Sequence, residues 1–465
     1  MHLNQHHSRR SFLTRNAQLG LAGVAAPLVD TLGWIGEAAA ASASDYKALV
    51  CVFLYGGNDY ANTLAPYDDT SYAAYLKARP SVALTREALA PMLLRPDQAL
   101  PGGRHYALAP AMAPLLPLFD QGKMAMLLNV GTLMEPTTKA QYLAQTVRLP
   151  PKLFSHNDQQ SFFQASHPEG AATGWGGRIG DLVAAGNGSA TLTCINASGN
   201  AVYLAGRQAI PYSVSGSGPV PLLRNSKTLF GSATSADTLR QLMTGGGQTL
   251  MADDYAKVVR RSLDTYAQVN AALANAPEEN FGLFPDYSLA DQLKLVARMM
   301  SVSSDLGVKR QVFFVSMGGF DRHNGLVTQQ PNMLGAVAQS MKAFYDTTVT
   351  MGIADRVTSF TASDFGRTLS ADRDGSDHGW GGMHWVVGGA VKGCQIIGKP
   401  PIVGSNTPDD VGRGRLLPTT SVDQYAATLA SWFGTSDGEL TTVLPNLAAW
   451  DRSSWNLGFL QDANR

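Results

Sequence analysis

The chain has 465 residues, 36 basic against 36 acidic side chains, 45% hydrophobic content and 15% charged content. That balance excludes a disordered chain, and with no basic excess or Lys/Arg-rich run it excludes nucleic acid as a partner. The length exceeds one ordinary core, so the composition fits either one large α/β domain with insertions or two domains.

In chain order, Ser8-Arg9-Arg10-Ser11-Phe12-Leu13 sets a twin arginine before the weakly apolar stretch Ala17 to Ile35, and small residues follow at 38–43. This pattern predicts a twin-arginine signal peptide over residues 1–43, export by the twin-arginine translocase, and a periplasmic or secreted mature chain. Asp30 and several glycines interrupt the stretch, so no stable membrane span is expected after cleavage. Three scattered cysteines (Cys51, Cys194, Cys394) suit neither a disulfide framework nor a Cys-type zinc site. Buried inert thiols are the expectation.

The unbroken apolar run Ala48 to Leu54 predicts a central parallel strand, covered on both faces. A short helix over 111–119, in spite of Pro114 and Pro117, precedes a second strand at 124–130, and helical patterns follow at 139–147 and 159–164. Glycine-rich loop signals and a long amphipathic helix over 251–274 mark about 181–280 as an insertion or cap. From Leu289 onward helix and strand alternate: helix to Met300, strand 311–316, helix 332–350, strands 356–361 and 384–391, helix 421–433. The alternation predicts a three-layer α/β sandwich with a largely parallel central sheet, in one discontinuous domain over 44–465.

Three of these strands run into glycine-containing turns that carry a carboxylate: Tyr55-Gly56-Gly57-Asn58-Asp59, Met317-Gly318-Gly319-Phe320-Asp321-Arg322-His323, and Ser363-Asp364-Phe365-Gly366-Arg367. Ligands bind outside the carboxyl ends of strands in open parallel sheets, so these groups are expected to converge. Asp59, Asp321, His323, Asp364 and His378 are the candidate ligands of a divalent metal. Imidazole with carboxylate suits zinc, manganese, iron or magnesium, and the choice among divalent ions, calcium included, stays open. Asp377 is a candidate ligand or orienter of His378, and His384 reads equally well as a structural histidine. Arg367 is the candidate oxyanion clamp, with an ion pair to Asp364 or Asp372 as the alternative. Ser155, placed to cap a helix, is the candidate nucleophile, and His156 a further ligand or acid/base group. The Gly-x-Ser-x-Gly elbow, the phosphate loop, His-Glu-x-x-His and the dinucleotide fingerprint are all missing.

Phe-Leu-Tyr-Gly-Gly-Asn-Asp-Tyr-Ala-Asn at 53–62, Ser-His-Asn-Asp-Gln-Gln at 155–160 and Gly-Gly-Phe-Asp-Arg-His at 318–323 resemble the DUF1501 family. So do Ser-Asp-Phe-Gly-Arg-Thr at 363–368, Asp-His-Gly-Trp-Gly at 377–381 and the run Val422 to Gly434. The resemblance implies a fold similar to the alkaline phosphatase and sulfatase superfamily, whose members hold one or two divalent metals at strand ends. On that resemblance Asp59, the Asp321–His323 pair, Asp364 and His378 match metal-ligand positions. Phe365 stands where the superfamily commonly has a histidine ligand, and Ser166-His167-Pro168-Glu169-Gly170 lacks the arginine of the sulfatase signature. A reduced, asymmetric metal centre is therefore expected. The leading reading is a metal-dependent hydrolase of phosphate or sulfate esters, acting on a small-molecule or polysaccharide ester. The rival is a non-catalytic binding or assembly scaffold that keeps the fold.

Overall fold

Strand β1 (Lys47–Leu54) is buried along its whole length, and its side chains divide by parity between two cores. Ala48, Val50, Val52 and Leu54 enter one core, while Leu49, Cys51 and Phe53 enter the other. A strand apolar at every position is stable only when helices cover both faces of its sheet, which is why the molecule has three layers. The computed structural model describes residues 46–199, 201–216, 218–222, 228–247 and 249–461; the expected signal peptide over 1–43 lies outside them.

The remaining strands are β2 (Leu64–Pro66), β3 (Tyr106–Leu108), β4 (Met124–Gly131), β5 (Cys194–Asn196), β6 (Tyr212–Ser215), β7 (Gly218–Pro219), β8 (Arg310–Met317), β9 (Val357–Ser363), β10 (Arg367–Asp372), β11 (Gly375–His378), β12 (Gly382–Gly388), β13 (Gln395–Ile397) and β14 (Thr420–Ser421). The main sheet runs β13-β4-β12-β9-β1-β8-β5-β6-β7, with β14 also on β4. β1 pairs in parallel with both β8 and β9, and β5 continues the parallel block on β8. The principal helices are α1 (Asp69–Ala78), α2 (His156–Ala165), α3 (Trp175–Val183), α4 (Ala233–Thr244), α5 (Leu250–Leu273), α6 (Ser288–Ser301), α7 (Leu326–Thr350) and α8 (Val422–Phe433). α6 and α7 pack on one face of the sheet, and α2, α3 and α8 on the other. The mixed α/β class with a mostly parallel sheet is as the sequence implies.

β12 departs from the parallel pattern, pairing antiparallel with both β4 and β9. Between β9 and β12 the chain forms the two-stranded ribbon β10–β11 and re-enters the sheet from the end it left. A strand that returns without crossing the sheet has to run backwards. The residues expected to form an insertion, about 181–280, supply β5, β6 and β7 at one end of the sheet together with α4 and α5. Among the described residues no helix is long and apolar enough to cross a membrane. All three cysteines are free thiols, and burial pushes those of Cys51 and Cys194 up, out of the reactive range.

Candidate metal centre

The carboxyl ends of β1, β8 and β9 lie side by side, so their turns are forced together. Gly56 and Gly57 adopt φ of +112° and +81°. A Cβ on Gly56 would collide with the backbone nitrogen of Asp321, and one on Gly57 with the ring of Phe365. The glycines of the first turn thus let the second and third turns approach.

Four side chains meet there. His323 Nε2 lies 3.0 Å from Asp321 Oδ1, His378 Nε2 lies 3.3 Å from the same oxygen, and the two imidazole nitrogens are 3.0 Å apart. His156 Nε2 approaches Asp321 Oδ2 at 3.4 Å. His323 follows the β8 turn, His378 ends β11, and His156 is the first residue of α2, so the cluster draws on three separate segments. Its members remain in contact with solvent, with 42% of the Asp321 side chain and 48% of His323 exposed.

Groups behind the cluster fix two of the rings. His156 Nδ1 lies 2.6 Å from Asp364 Oδ2, an oxygen that also accepts from Gln160 Nε2 at 2.8 Å and from the Gly56 amide at 3.1 Å. His378 Nδ1 donates to the Phe154 carbonyl at 2.8 Å. With Nδ1 committed to an acceptor in both rings, the neutral tautomer carries its proton there and turns the Nε2 lone pair inward. Phe365 packs beside both rings, its centroid 4.9 Å from that of His156 and 4.8 Å from that of His378, while the two imidazole centroids are 4.3 Å apart.

The donor set fits a divalent metal. The Nε2 lone pair of His378 meets His323 Nε2 at 3.0 Å, a spacing that takes either a proton carried by His323 or a cation shared by both nitrogens. Ligand atoms at 2.0–2.2 Å from one tetrahedral ion would sit roughly 3.3–3.6 Å apart, close to the 3.0–3.4 Å spacings seen here. Acceptors held behind metal-binding imidazoles are the usual support of such centres. Donor atoms that all lie within 4.8 Å of one another form two overlapping groups of three, His156–Asp321–His378 and His323–Asp377–His378. His378 belongs to both groups, and its Nδ1 is already committed to Phe154.

The charges act differently on the two supported rings, Asp364 favouring a proton on His156 that a cation would have to displace and burial keeping His378 neutral. The hydrogen bond and charge of Asp364 raise the pKa of His156 against the opposing effect of burial. Burial lowers the pKa of His378, and the neighbouring His156 lowers it further. Burial would raise that of Asp321, but Arg367 and the nearby histidines outweigh it and hold the carboxyl below its usual range.

The other expected site residues lie elsewhere. Both oxygens of Asp59 are engaged by the guanidinium of Arg79 (2.9 and 2.7 Å), with Ser376 Oγ at 2.6 Å and the Asn62 amide at 3.0 Å. Asp59 and Arg79 are both buried, so this acid is a paired structural group with no oxygen left for an ion. Arg367 is fully buried and donates to Gly56 O at 3.1 Å, to Ser376, and to Asp321 Oδ1 at 2.6 Å. It anchors the central carboxylate and presents no free face to a substrate anion. Asp364 meets the cluster from behind, through His156. Ser155 is the N-cap residue of α2, but its hydroxyl donates to Asp158 Oδ2 at 3.0 Å and caps no backbone amide. His384 is buried in the core, its ring stacked on Tyr425 and its pKa pushed down to about 3 by burial.

Sequence reasoning missed Arg79 and Ser376, which carry no motif of their own, and gave no role to Gln160, the last residue of the quoted run 155–160. It also passed over Gly412-Arg413-Gly414-Arg415, whose alternation of glycine and arginine was visible. A cavity of about 250 Å³ adjoins the centre along α2, lined by Tyr55, Asn157, Gln160, Gln164 and Glu169 among others. A larger one, about 500 Å³, lies between β6 and α5 and contains none of the site residues.

No curated protein matches the chain. Among solved structures, Ps i-CgsB in complex with k-i-k-neocarrahexaose aligns over 90% of this chain and 75% of its own, at 8% identity and a TM-score of 0.32. The PsFucS1 sulfatase from Pseudoalteromonas sp. aligns over 94% and 77%, at 9% identity and a TM-score of 0.34. Similarity this low carries no inference about activity. Residues 46–444 match the family described as "Protein of unknown function (DUF1501)", and the chain belongs to that family.

Proposed function

We propose that the chain is an exported, metal-dependent hydrolase of phosphate or sulfate esters. One observation carries the reading: three imidazole Nε2 atoms turned toward a single partly exposed carboxylate, two of them with Nδ1 committed to acceptors behind. His156, His323, His378 and Asp321 would hold the ion. A divalent metal there supplies Lewis acidity toward an ester oxygen and acidifies a bound water. Asp364 keeps His156 in its inward tautomer, and Arg367 keeps Asp321 from turning away. The alcohol portion of a small-molecule or polysaccharide ester suits the adjoining cavity, where amide side chains can meet hydroxyl groups.

The test is a screen of phosphomonoesters, phosphodiesters and sulfate esters, with zinc, manganese, magnesium or calcium supplied, against an Asp321→Ala control. Metal-dependent turnover lost in the control supports the assignment; turnover that survives Asp321→Ala removes the site. Export is tested by locating the chain after Arg9 and Arg10 are both replaced by lysine, where unchanged periplasmic delivery would count against the twin-arginine route.

A binding scaffold is the second reading. It is favoured by the fact that, among the described residues, no serine, threonine or cysteine side chain hydrogen-bonds to any of the four cluster residues. Metal binding without turnover of any ester class would select it.

A further inference from the structure

We propose that Arg413 receives the anionic ester group of the substrate at this centre, an inference that rests on the hydrolase reading. Four arginines approach the cluster. Arg367 is buried and saturated. Arg322 turns to the sulfur of Met333 at 3.8 Å. Arg415 lies 4.5 Å over the ring of Phe154 and donates through Nε to the His378 carbonyl at 2.8 Å, which leaves it 20% exposed. Arg413 is 56% exposed.

Its loop is built to present it. Gly412, Arg413 and Gly414 have φ of +119°, +58° and +75°. A left-handed backbone is unfavourable for a long side chain such as arginine, and it persists only where the surroundings impose it. Here buried Asp410 imposes it, taking the Gly412 and Gly414 amides on Oδ1 at 2.7 and 2.9 Å and the Asn406 amide on Oδ2 at 2.8 Å. The Gly414 carbonyl accepts from the Leu369 amide at 2.9 Å, docking the loop on the ribbon that carries His378.

Arg413 Nη1 is 2.9 Å from Asp377 Oδ2, and Asp377 Oδ1 is 3.9 Å from His323 Nδ1. The guanidinium therefore stands one carboxylate away from the imidazoles. An exposed ion pair of this kind contributes little, whereas a guanidinium on a phosphate or sulfate makes two parallel charge-assisted bonds. Asp377 keeps the His378 amide at 2.8 Å and Arg415 at 3.4 Å when Arg413 changes partner. The other acidic neighbour of Arg413, Asp372 at 3.9 Å, is 67% exposed and returns to water, so the exchange strands no charge. Lys152, 70% exposed and paired with Asp158 at 3.5 Å, is the competing cation.

Calorimetric titration of inorganic phosphate and inorganic sulfate into the purified chain tests this. Arg413→Met is expected to raise the dissociation constant of both anions at least tenfold, and Arg413→Lys to recover part of the loss. Lys152→Met and the remote Arg452→Met should stay within twofold of wild type, and zinc affinity in Arg413→Met should be unchanged within twofold. The inference is overturned if Arg413→Met binds both anions as wild type does, if Lys152→Met takes the loss instead, or if the wild type binds neither anion. The readout needs no turnover. Anion binding lost in Arg413→Met while no ester is hydrolysed sinks the hydrolase reading, and with it the ester as the occupant, and leaves Arg413 as the anion-binding residue of a binding site. Ester hydrolysis with an unchanged KM in Arg413→Met does the reverse.

Discussion

The turns after β1 and β8 carry the same signal, an apolar strand, two glycines and an aspartate, yet their carboxylates have opposite roles. Asp59 is closed off by Arg79, which follows α1 and reaches back with both amino groups. Asp321 shares Oδ1 among the Arg367 guanidinium and the imidazoles of His323 and His378, meets His156 through Oδ2, and stays partly open to solvent. What differs is the element that packs over the strand end. A carboxylate enclosed by a buried cation is a structural group, and one left partly exposed among histidines is free to serve as a ligand in the proposed centre.

The comparison breaks most visibly through Asp59. Asp59→Asn leaves Arg79 buried without a counter-charge, and loss of one partner of a buried pair costs about 3–5 kcal/mol. Urea denaturation should record that loss with zinc affinity little changed in the folded fraction, whereas Asp321→Asn, which takes the counter-charge from buried Arg367 but at a half-exposed carboxylate that water screens, should abolish zinc binding at a smaller stability cost. Equal stability losses in the two variants would erase the distinction.

Asp423 extends the comparison to a buried acid whose direct partners are neutral. It accepts from Ser166 Oγ at 3.2 Å, and burial raises its pKa to about 7 against the weaker pull of that bond and of nearby Arg178. Burial raises the pKa of Asp59 too, but Arg79 reverses the direction and leaves it below the usual range. An unfolded aspartate titrates near about 3.9. From there to about 7 the folded chain keeps a proton on Asp423 that the unfolded chain has lost, so the contribution of this group is greatest in acid and falls as pH rises through this window, while buried His384, pushed down to about 3, contributes in the opposite sense. The fall should be on the order of a few kcal/mol, and Asp423→Asn should flatten it in denaturation curves taken at several pH values. A stability difference between wild type and Asp423→Asn that does not move against the wild type as pH rises between these limits would contradict the account.

Two smaller effects sharpen the ligand side. His378→Ala removes an inward donor and should weaken zinc binding by more than ~100-fold in a competition titration, since outer-shell changes alone cost 10–100-fold. Asp364→Asn is such an outer-shell change. It loosens the tautomer of His156 and should weaken zinc binding within that range while His323 and His378 stay in place. An Asp364→Asn loss larger than that of His378→Ala would reverse their assigned positions.

Elements with one strong local pattern were legible. The apolar run 48–54 is β1, the expected helix 251–274 is α5 at Leu250–Leu273, and 421–433 is α8 at Val422–Phe433. The expected helix over 111–119 divides into a 3-10 turn at Pro110–Leu115 and a short helix at Leu116–Asp120, because Pro114 and Pro117 interrupt the hydrogen-bond ladder. The ribbon β10–β11 sets Arg367 opposite His378, and its short polar strands gave no alternation to read.

The sequence by itself determined the layers, the parallel block around β1 and the delivery of acids and histidines to one end of the sheet. Those features follow from hydrophobic periodicity and from glycines at turns, both of which are local. Tertiary structure alone decided that Arg79 neutralises Asp59, that Arg367 stands behind Asp321, and that His156 brings in a third imidazole while Phe365 fills the space beside it. Each of these is a choice of partner across tens to hundreds of residues. Such a choice is fixed by which side chains share a buried volume, and no local pattern encodes it.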